Sequence, residues 1–228
     1  MPEHQGESPL AERRRAVAEL GAAMRAATIA LVEGEAPIED LAAATLRARE
    51  LAEMLSSGRR PATQAAAVDD WIGGIRYFTP VSGLGTPLSI PLVYDYEGDT
   101  VVARATFDRR FEGPPGKVHG GVTALVFDEV LSRAAKRIGR WGMTAFLNTT
   151  YRRGLPLGVE LEFRSWVGSI DGRKTAVEGT AALAADPSTP HVEASGLFVE
   201  PRTELQQDYF GDFTDAKGVP LPRRHAPA

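Results

Sequence analysis

Hydrophobic residues recur along this chain in two periods, and the change of period divides it. Over residues 10–32, Val17, Leu20, Met24, Ala27 and Leu31 return every three or four positions, one stripe of an amphipathic helix. Gly34 suits its end. Pro37 opens a second helix at its first turn, followed by Glu39 and Asp40, which suit the positive helix end. Its stripe runs Ile38, Leu41, Ala44, Ala48, Leu51, Leu55, and Gly58 suits its close. The short link predicts an N-terminal helical hairpin. It reads as a docking or oligomer-contact element, with a regulatory or lid role as the alternative. Residues 58–87, rich in Gly, Pro, Ser and Thr, read as connection.

The period then drops to two. Residues 92–96 predict a strand, and 100–107 alternate with Val101, Ala103, Ala105 and Phe107 on one face. Further strands are predicted at 143–151, 159–170, 173–185 and 191–199, with Asp171-Gly172 as a hairpin turn. Between the second and third strands, residues 122–138 are apolar on nearly every side and read as a buried helix. This order predicts an α+β fold, an antiparallel sheet wrapped around a single central helix. Beyond Pro201 there is no period, and a loosely held tail is expected. The division is 1–70 as helical extension, 71–203 as the main domain and 204–228 as tail.

Composition adds exclusions. A length of 228 residues fits one domain with an appendage, or two small domains. With 43% hydrophobic and 25% charged residues the chain has material for a core, which argues against disorder. A net charge of −4 offers no nucleic-acid footprint. The absence of cysteine excludes disulfides, thiolate zinc sites and cysteine nucleophiles. No apolar run is long enough to predict a membrane span. Glu3, Glu7, Glu12 and Glu19 argue against a transit peptide, so a cytoplasmic location is expected. His4, His119, His191 and His225 lack metal-ligand spacing, and neither metal nor cofactor is expected. There is no G-x-S-x-G elbow, and Gly83-Leu84-Gly85 lacks the third glycine and the strand–helix setting of a dinucleotide loop.

The candidate chemistry lies in GPPGKVHGGVTALVFDEV, residues 113–130. His119-Gly120-Gly121 stands where the buried helix begins. The first amides of a helix lack partners within it, and glycines admit a ligand to the backbone. Such a helix start favours negative charge and suits the oxyanion formed when an acyl carbonyl is attacked. Asp128 lies nine residues after His119, inside the apolar run. A carboxylate there is costly unless paired or hydrated, which makes Asp128 a candidate general base or nucleophile. The alternative is a carboxylate satisfied by a hydroxyl such as Ser132. Glu129 has Arg133 at i+4, an ordinary ion pair. Gly121 and Asp128 are seven residues apart, roughly 10 Å along a helix, whereas an attacking group sits about 3 Å from its carbon. One helix therefore does not serve one carbonyl with both groups. The expectation is a homodimer in which Gly121 of one subunit faces Asp128 of the other.

Three stretches, EGPPGKVHGGVTALVFDE, MTAFLNTTYRRGLPLG and IDGRKTAVEGTAAL, together resemble the PaaI-like branch of the hotdog-fold acyl-CoA thioesterases, over roughly residues 88–203. The resemblance implies that Asp128 activates water or attacks the thioester, that the Gly121 amide polarises the carbonyl, and that Thr144 orients the nucleophile. It implies that His119 and Gly120 shape the loop, with a hydrogen bond from His119 near the acyl group. It also implies dimers that often pair further, an acyl-CoA substrate and no metal. Arg152, Arg153, Arg173 and Lys174 are candidates for the CoA phosphates, against a reading as solvated strand-end charges. Glu129 and Asn148 complete the candidate substrate contacts. Two other functions fit the pattern. One is a hydratase or dehydratase on the same fold, which needs a histidine paired with an acid. The other is a non-catalytic acyl-CoA-binding module with the helical hairpin as its partner element.

Overall fold

The computed structural model describes residues 8–70, 73–90 and 92–220. Residues 1–7 of the expected helical extension and residues 221–228 of the expected C-terminal tail lie outside these. Helix α1, Pro9–Glu33, starts as its sequence asks: Ser8 caps it by accepting from the Ala11 N–H, and Pro9 fills the first turn. Gly34 ends it. Helix α2, Ile38–Ser56, carries Glu39 and Asp40 in its first turn. The two helices differ in what they cover. Gly21 of α1 is buried and Val17, Leu20 and Met24 are half-buried, whereas α2 buries no residue, its stripe included. No helix among the described residues is long and apolar enough to cross a membrane.

Six strands follow among the described residues: β1 (Val93–Glu97), β2 (Thr100–Thr106), β3 (Met143–Tyr151), β4 (Glu160–Asp171), β5 (Lys174–Leu183) and β6 (Val192–Val199). A 3-10 turn, Arg109–Phe111, and helix α3, Gly120–Arg137, lie between β2 and β3. The strands form one antiparallel sheet in the order β1-β2-β4-β5-β6-β3. The chain leaves β2, runs through α3 along one face of the sheet, and enters β3 at the far edge. That crossing fixes the position of the site, because among the described residues β3 pairs with β6 alone and its other edge is open.

The core is what the alternation predicts. Val101, Ala103, Ala105 and Phe107 meet Leu161 and Phe163 of β4 and Val126, Phe127, Val130 and Leu131 of α3. Phe163 is fully buried, with ring centroids 5.3 Å from Phe127 and 6.1 Å from Phe107. Ser165, also buried, spends its hydroxyl on the Val130 carbonyl at 2.9 Å. Phe163→Ala opens a cavity between sheet and helix and is expected to cost about 3–5 kcal/mol in a urea melt.

Helix α3 is less enclosed than its composition predicts. Thr123, Val126, Phe127, Val130, Leu131, Ala134 and Ala135 are buried, yet Leu125 is 40% exposed. The described part of the C-terminal segment, residues 203–220, makes contacts that the absence of a period does not predict. Residues 203–210 form helix α4 (Thr203–Phe210), and Phe210 packs edge-on to Trp141 at 5.9 Å. Thr214 then pairs with the connection after α2: Ala65 N–H donates to its carbonyl at 2.8 Å, and its own N–H donates to Thr63 O at 2.9 Å. Sequence periodicity is blind to such contacts because they use backbone groups in irregular chain.

Candidate active site

His119 occupies the N-cap of α3 with extended backbone, and its own side chain makes the cap. Nδ1 accepts the Gly121 N–H at 3.0 Å. A Cβ at residue 121 would lie 3.2 Å from Nδ1, close enough that the ring would have to give slightly. A neutral imidazole that accepts through Nδ1 carries its proton on Nε2. The Gly121 amide, expected to be open, is therefore engaged within the chain. The Gly120 N–H is the open one, bonded to no acceptor among the described residues. On the other side of that residue, the Tyr151 hydroxyl donates to Gly120 O at 2.7 Å, joining the helix start to the end of β3.

Gly121, Leu125, Asp128 and Ser132 follow one another at the spacing of a single helix face. This is the stripe that the sheet leaves uncovered: the first two are exposed and the others half-buried. Thr144, in β3, donates its hydroxyl to Asp128 Oδ1 at 2.6 Å. Asp128 Oδ2 is left without a partner among the described residues. The Ser132 hydroxyl goes instead to the Glu129 carbonyl at 3.0 Å.

Strict alternation would not bring Thr144 to Asp128. Leu147 pairs with Gly196 and Phe146 with Leu197, so the next inward position is 145 and Thr144 would point away from α3. The register shifts between Thr144 and Phe146, and Thr144 pairs with Phe198, whose side chain lies in the core. The extra residue, Ala145, is a bulge that turns the hydroxyl to the helix side, a known use of bulges beside functional sites.

Glu129 has a different environment. Its Oε1 accepts from Arg133 Nη2 at 3.2 Å, as the i+4 spacing predicts, and from Ser82 Oγ at 3.3 Å. Arg133 lies over the Tyr94 ring, 3.9 Å from its centroid. Burial lowers the Arg133 pKa, but Tyr94, Tyr96 and Glu129 more than offset it, so the guanidinium stays a cation beside Glu129. The two adjacent acids thus face different neighbours: a hydroxyl on an open stripe for Asp128, an arginine and a connecting segment for Glu129.

The profile of the thioesterase superfamily matches residues 115–182. A solved thioesterase superfamily protein superposes with a TM-score of 0.71 and 33% sequence identity, covering 80% of this chain and 94% of that one.

The chain belongs to the thioesterase superfamily.

Its central helix in an antiparallel sheet is the hotdog fold of that superfamily. Acyl-coenzyme A thioesterase THEM4 of Xenopus laevis is 36% identical over 89 residues, 39% of this chain and 40% of that protein. THEM5 of Mus musculus, also an acyl-coenzyme A thioesterase, is 30% identical over 95 residues, 42% of this chain and 38% of that protein. The chain thus spans about two fifths of the length of the curated relatives it matches.

The remaining candidate residues of this superfamily member lie around the same strand, in different places. Lys174 pairs with Val199, which pairs with Met143, one row from the row of Thr175, Phe198 and Thr144. Arg173 donates to the Glu200 carbonyl beside it. Arg152, at the other end of β3, is exposed and paired with Glu193 at 3.0 Å. Arg153 is exposed there too, its N–H donating to His191 O at 3.0 Å. Asn148 is exposed and pairs with Ser195, on the opposite side of the strand from Leu147 and Thr149 and away from α3. Two further residues of the candidate site carry little signal in the sequence: Tyr151 stands out only as part of the strand end, and Ser82 lies in a stretch with no period to flag it.

Proposed function

We propose that the chain hydrolyses acyl-CoA thioesters to the free acid and CoA, at a site completed by a second copy of itself. The observation that carries this reading is the layout of β3. One end, at Thr144, is bonded to Asp128; the other, at Tyr151, is bonded to Gly120. The free edge between them runs nine residues and exposes Met143, Phe146 and Tyr151. An open edge of that length invites pairing. Antiparallel pairing of two such edges about a two-fold axis brings the Tyr151 end of one beside the Thr144 end of the other. The open Gly120 amide of one subunit then approaches the Asp128 carboxylate of its partner, which the same helix cannot do for its own.

In this reading the thioester carbonyl takes the Gly120 N–H, and the growing oxyanion is stabilised there. The Thr144 hydroxyl holds Oδ1, so Oδ2 faces the substrate. Asp128 takes a proton from water as the water oxygen bonds to the acyl carbon, or attacks that carbon itself and is released by water afterwards. The C–S bond breaks, and CoA leaves as a thiolate that takes up the proton. The superfamily resemblance points to the Gly121 amide as the oxyanion donor; the His119 cap favours Gly120. Arg173 and Lys174, near the Thr144 end, and Arg152 and Arg153, near the Tyr151 end, are the candidates for the CoA phosphates.

The names of the matched relatives support this activity, and the Asp128–Thr144 pair favours it over a hydratase. Among the described residues no histidine hydrogen-bonds to Asp128 or Glu129. A panel of acyl-CoA substrates, followed by release of free thiol, tests the proposal. Loss of the enoyl double bond without thiol release would favour the hydratase, and binding without turnover would favour the non-catalytic module.

A further inference from the structure

We infer that helix α1 sets the position of the His119–Gly120 turn, and that Arg25 is a positioning residue for the reaction. The inference rests on the thioesterase reading of that turn. Helix α1 crosses the segment 84–87 with no space to spare. A Cβ on Gly21 would lie 2.2 Å from Leu84 O and 2.9 Å from Gly85 Cα. One turn on, Arg25 Nη1 donates to Leu84 O and to Thr86 O, both at 2.9 Å. The next carbonyl, Pro87 O, accepts from Arg110 Nη1 at 2.8 Å. Two arginines from distant parts of the chain thus hold three of four consecutive carbonyls.

Arg110 belongs to the 3-10 turn at 109–111, against which α1 also lies directly. Its side chain is 7% exposed, held by Asp108 at 2.7 Å and 2.9 Å and stacked 4.8 Å from the Phe111 ring centroid. Phe111 O then accepts the His119 N–H at 2.8 Å. The two short runs that meet there are tight: Gly113 N–H donates to Lys117 O at 2.9 Å, and a Cβ on Gly113 would lie 2.8 Å from His119 Cα. The path from Arg25 to the turn therefore passes only through buried or hydrogen-bonded groups. The same connecting segment reaches the acid's helix, since Ser82 holds Glu129, one residue from Asp128. The N-terminal extension is in this sense part of the site's frame. Helix α2, which buries nothing, is not.

The test compares Arg25→Met with Met54→Ala on α2, well below the melting temperature of each. Hydrogen exchange of the peptide spanning 109–122 should be about ten-fold faster in Arg25→Met, as expected of a locally loosened segment, with strands β4 and β5 unchanged. Because the Gly120 amide acts in the transition state, kcat and kcat/KM should fall together, about ten-fold for a sub-ångström misplacement, with KM held. Met54→Ala should change neither. Unchanged exchange over 109–122 in Arg25→Met overturns the inference, and so does faster exchange with an unaltered kcat. If the wild-type chain releases no thiol from any acyl-CoA, the thioesterase reading falls, and the exchange measurement still decides whether α1 sets the turn.

Discussion

Asp128→Asn is expected to lower thiol release by about 10²- to 10⁴-fold, the contribution of a lost general base, while acyl-CoA binding stays near its wild-type value. The amide has the shape of the carboxylate, and its oxygen still accepts the Thr144 hydroxyl, which now sits 2.6 Å from Oδ1. What it loses is the basic lone pair that would take a proton from water, or the anion that would attack carbon. The adjacent acid provides the contrast. Glu129→Gln weakens a pair with Arg133 and a bond to Ser82. The pair is mostly buried, so the cost in stability should be about 1–3 kcal/mol, with turnover within about two-fold because no reacting atom loses a partner. Calorimetric titration of each variant with a slowly turned-over acyl-CoA, beside a chromogenic thiol assay, separates binding from chemistry. Full turnover in Asp128→Asn would remove this residue from the mechanism; loss of turnover in Glu129→Gln would move the role to its neighbour.

Most of the fold was legible because it is built from regular periods. The alternation of Val101, Ala103, Ala105 and Phe107, and of Leu161 and Phe163, names the side of each strand that meets α3, and those residues are buried. The apolar run after His119 names the helix. What the periods could not carry is an added residue. A count of two from Leu147 leaves Thr144 on the wrong side, and only the bulge at Ala145 returns it to Asp128. The superfamily resemblance points to Thr144, which nothing in the strand pattern itself singles out.

The helix start shows a second limit. Sequence locates a helix start whose amides lack partners, but which amide stays open depends on which side chain folds back onto it. Ser, Thr, Asp and Asn are the usual caps; here a histidine takes the place, and by capping Gly121 it leaves the Gly120 N–H as the amide with no acceptor among the described residues. A third limit concerns partners. The stripes of α1 and α2 look alike in sequence, yet one rests on the segment before β1 and the other buries nothing. Amphipathicity reports that a face is apolar, not what covers it. Likewise the exposed side of α3, with Leu125 and Asp128, reads in sequence as part of a fully buried helix. A helix completed by a second subunit and one completed within its own chain have the same pattern.

That equivalence is broken by mixing two inactive proteins. Gly120→Pro deletes the open N–H and puts the ring's Cδ in its place. Proline is tolerated at the first position of a helix, and His119, at φ −60° and ψ 132°, already has the conformation required before proline. A Cβ at residue 120 would meet Tyr151 no closer than 3.4 Å. The variant should fold, keep its far-UV spectrum, and lose about 10²- to 10³-fold in turnover, the usual cost of one oxyanion donor. Asp128→Asn is inactive for the opposite reason. If each site takes its amide from one subunit and its acid from the other, a mixed dimer contains one site with both defects and one with neither. Random exchange of subunits makes half of the dimers mixed, so an equal mixture should recover about one quarter of wild-type activity. Two groups drawn from the same chain would leave the mixture as inactive as its parts. Retained turnover in Gly120→Pro alone would return the donor role to Gly121, whose amide His119 would then have to release.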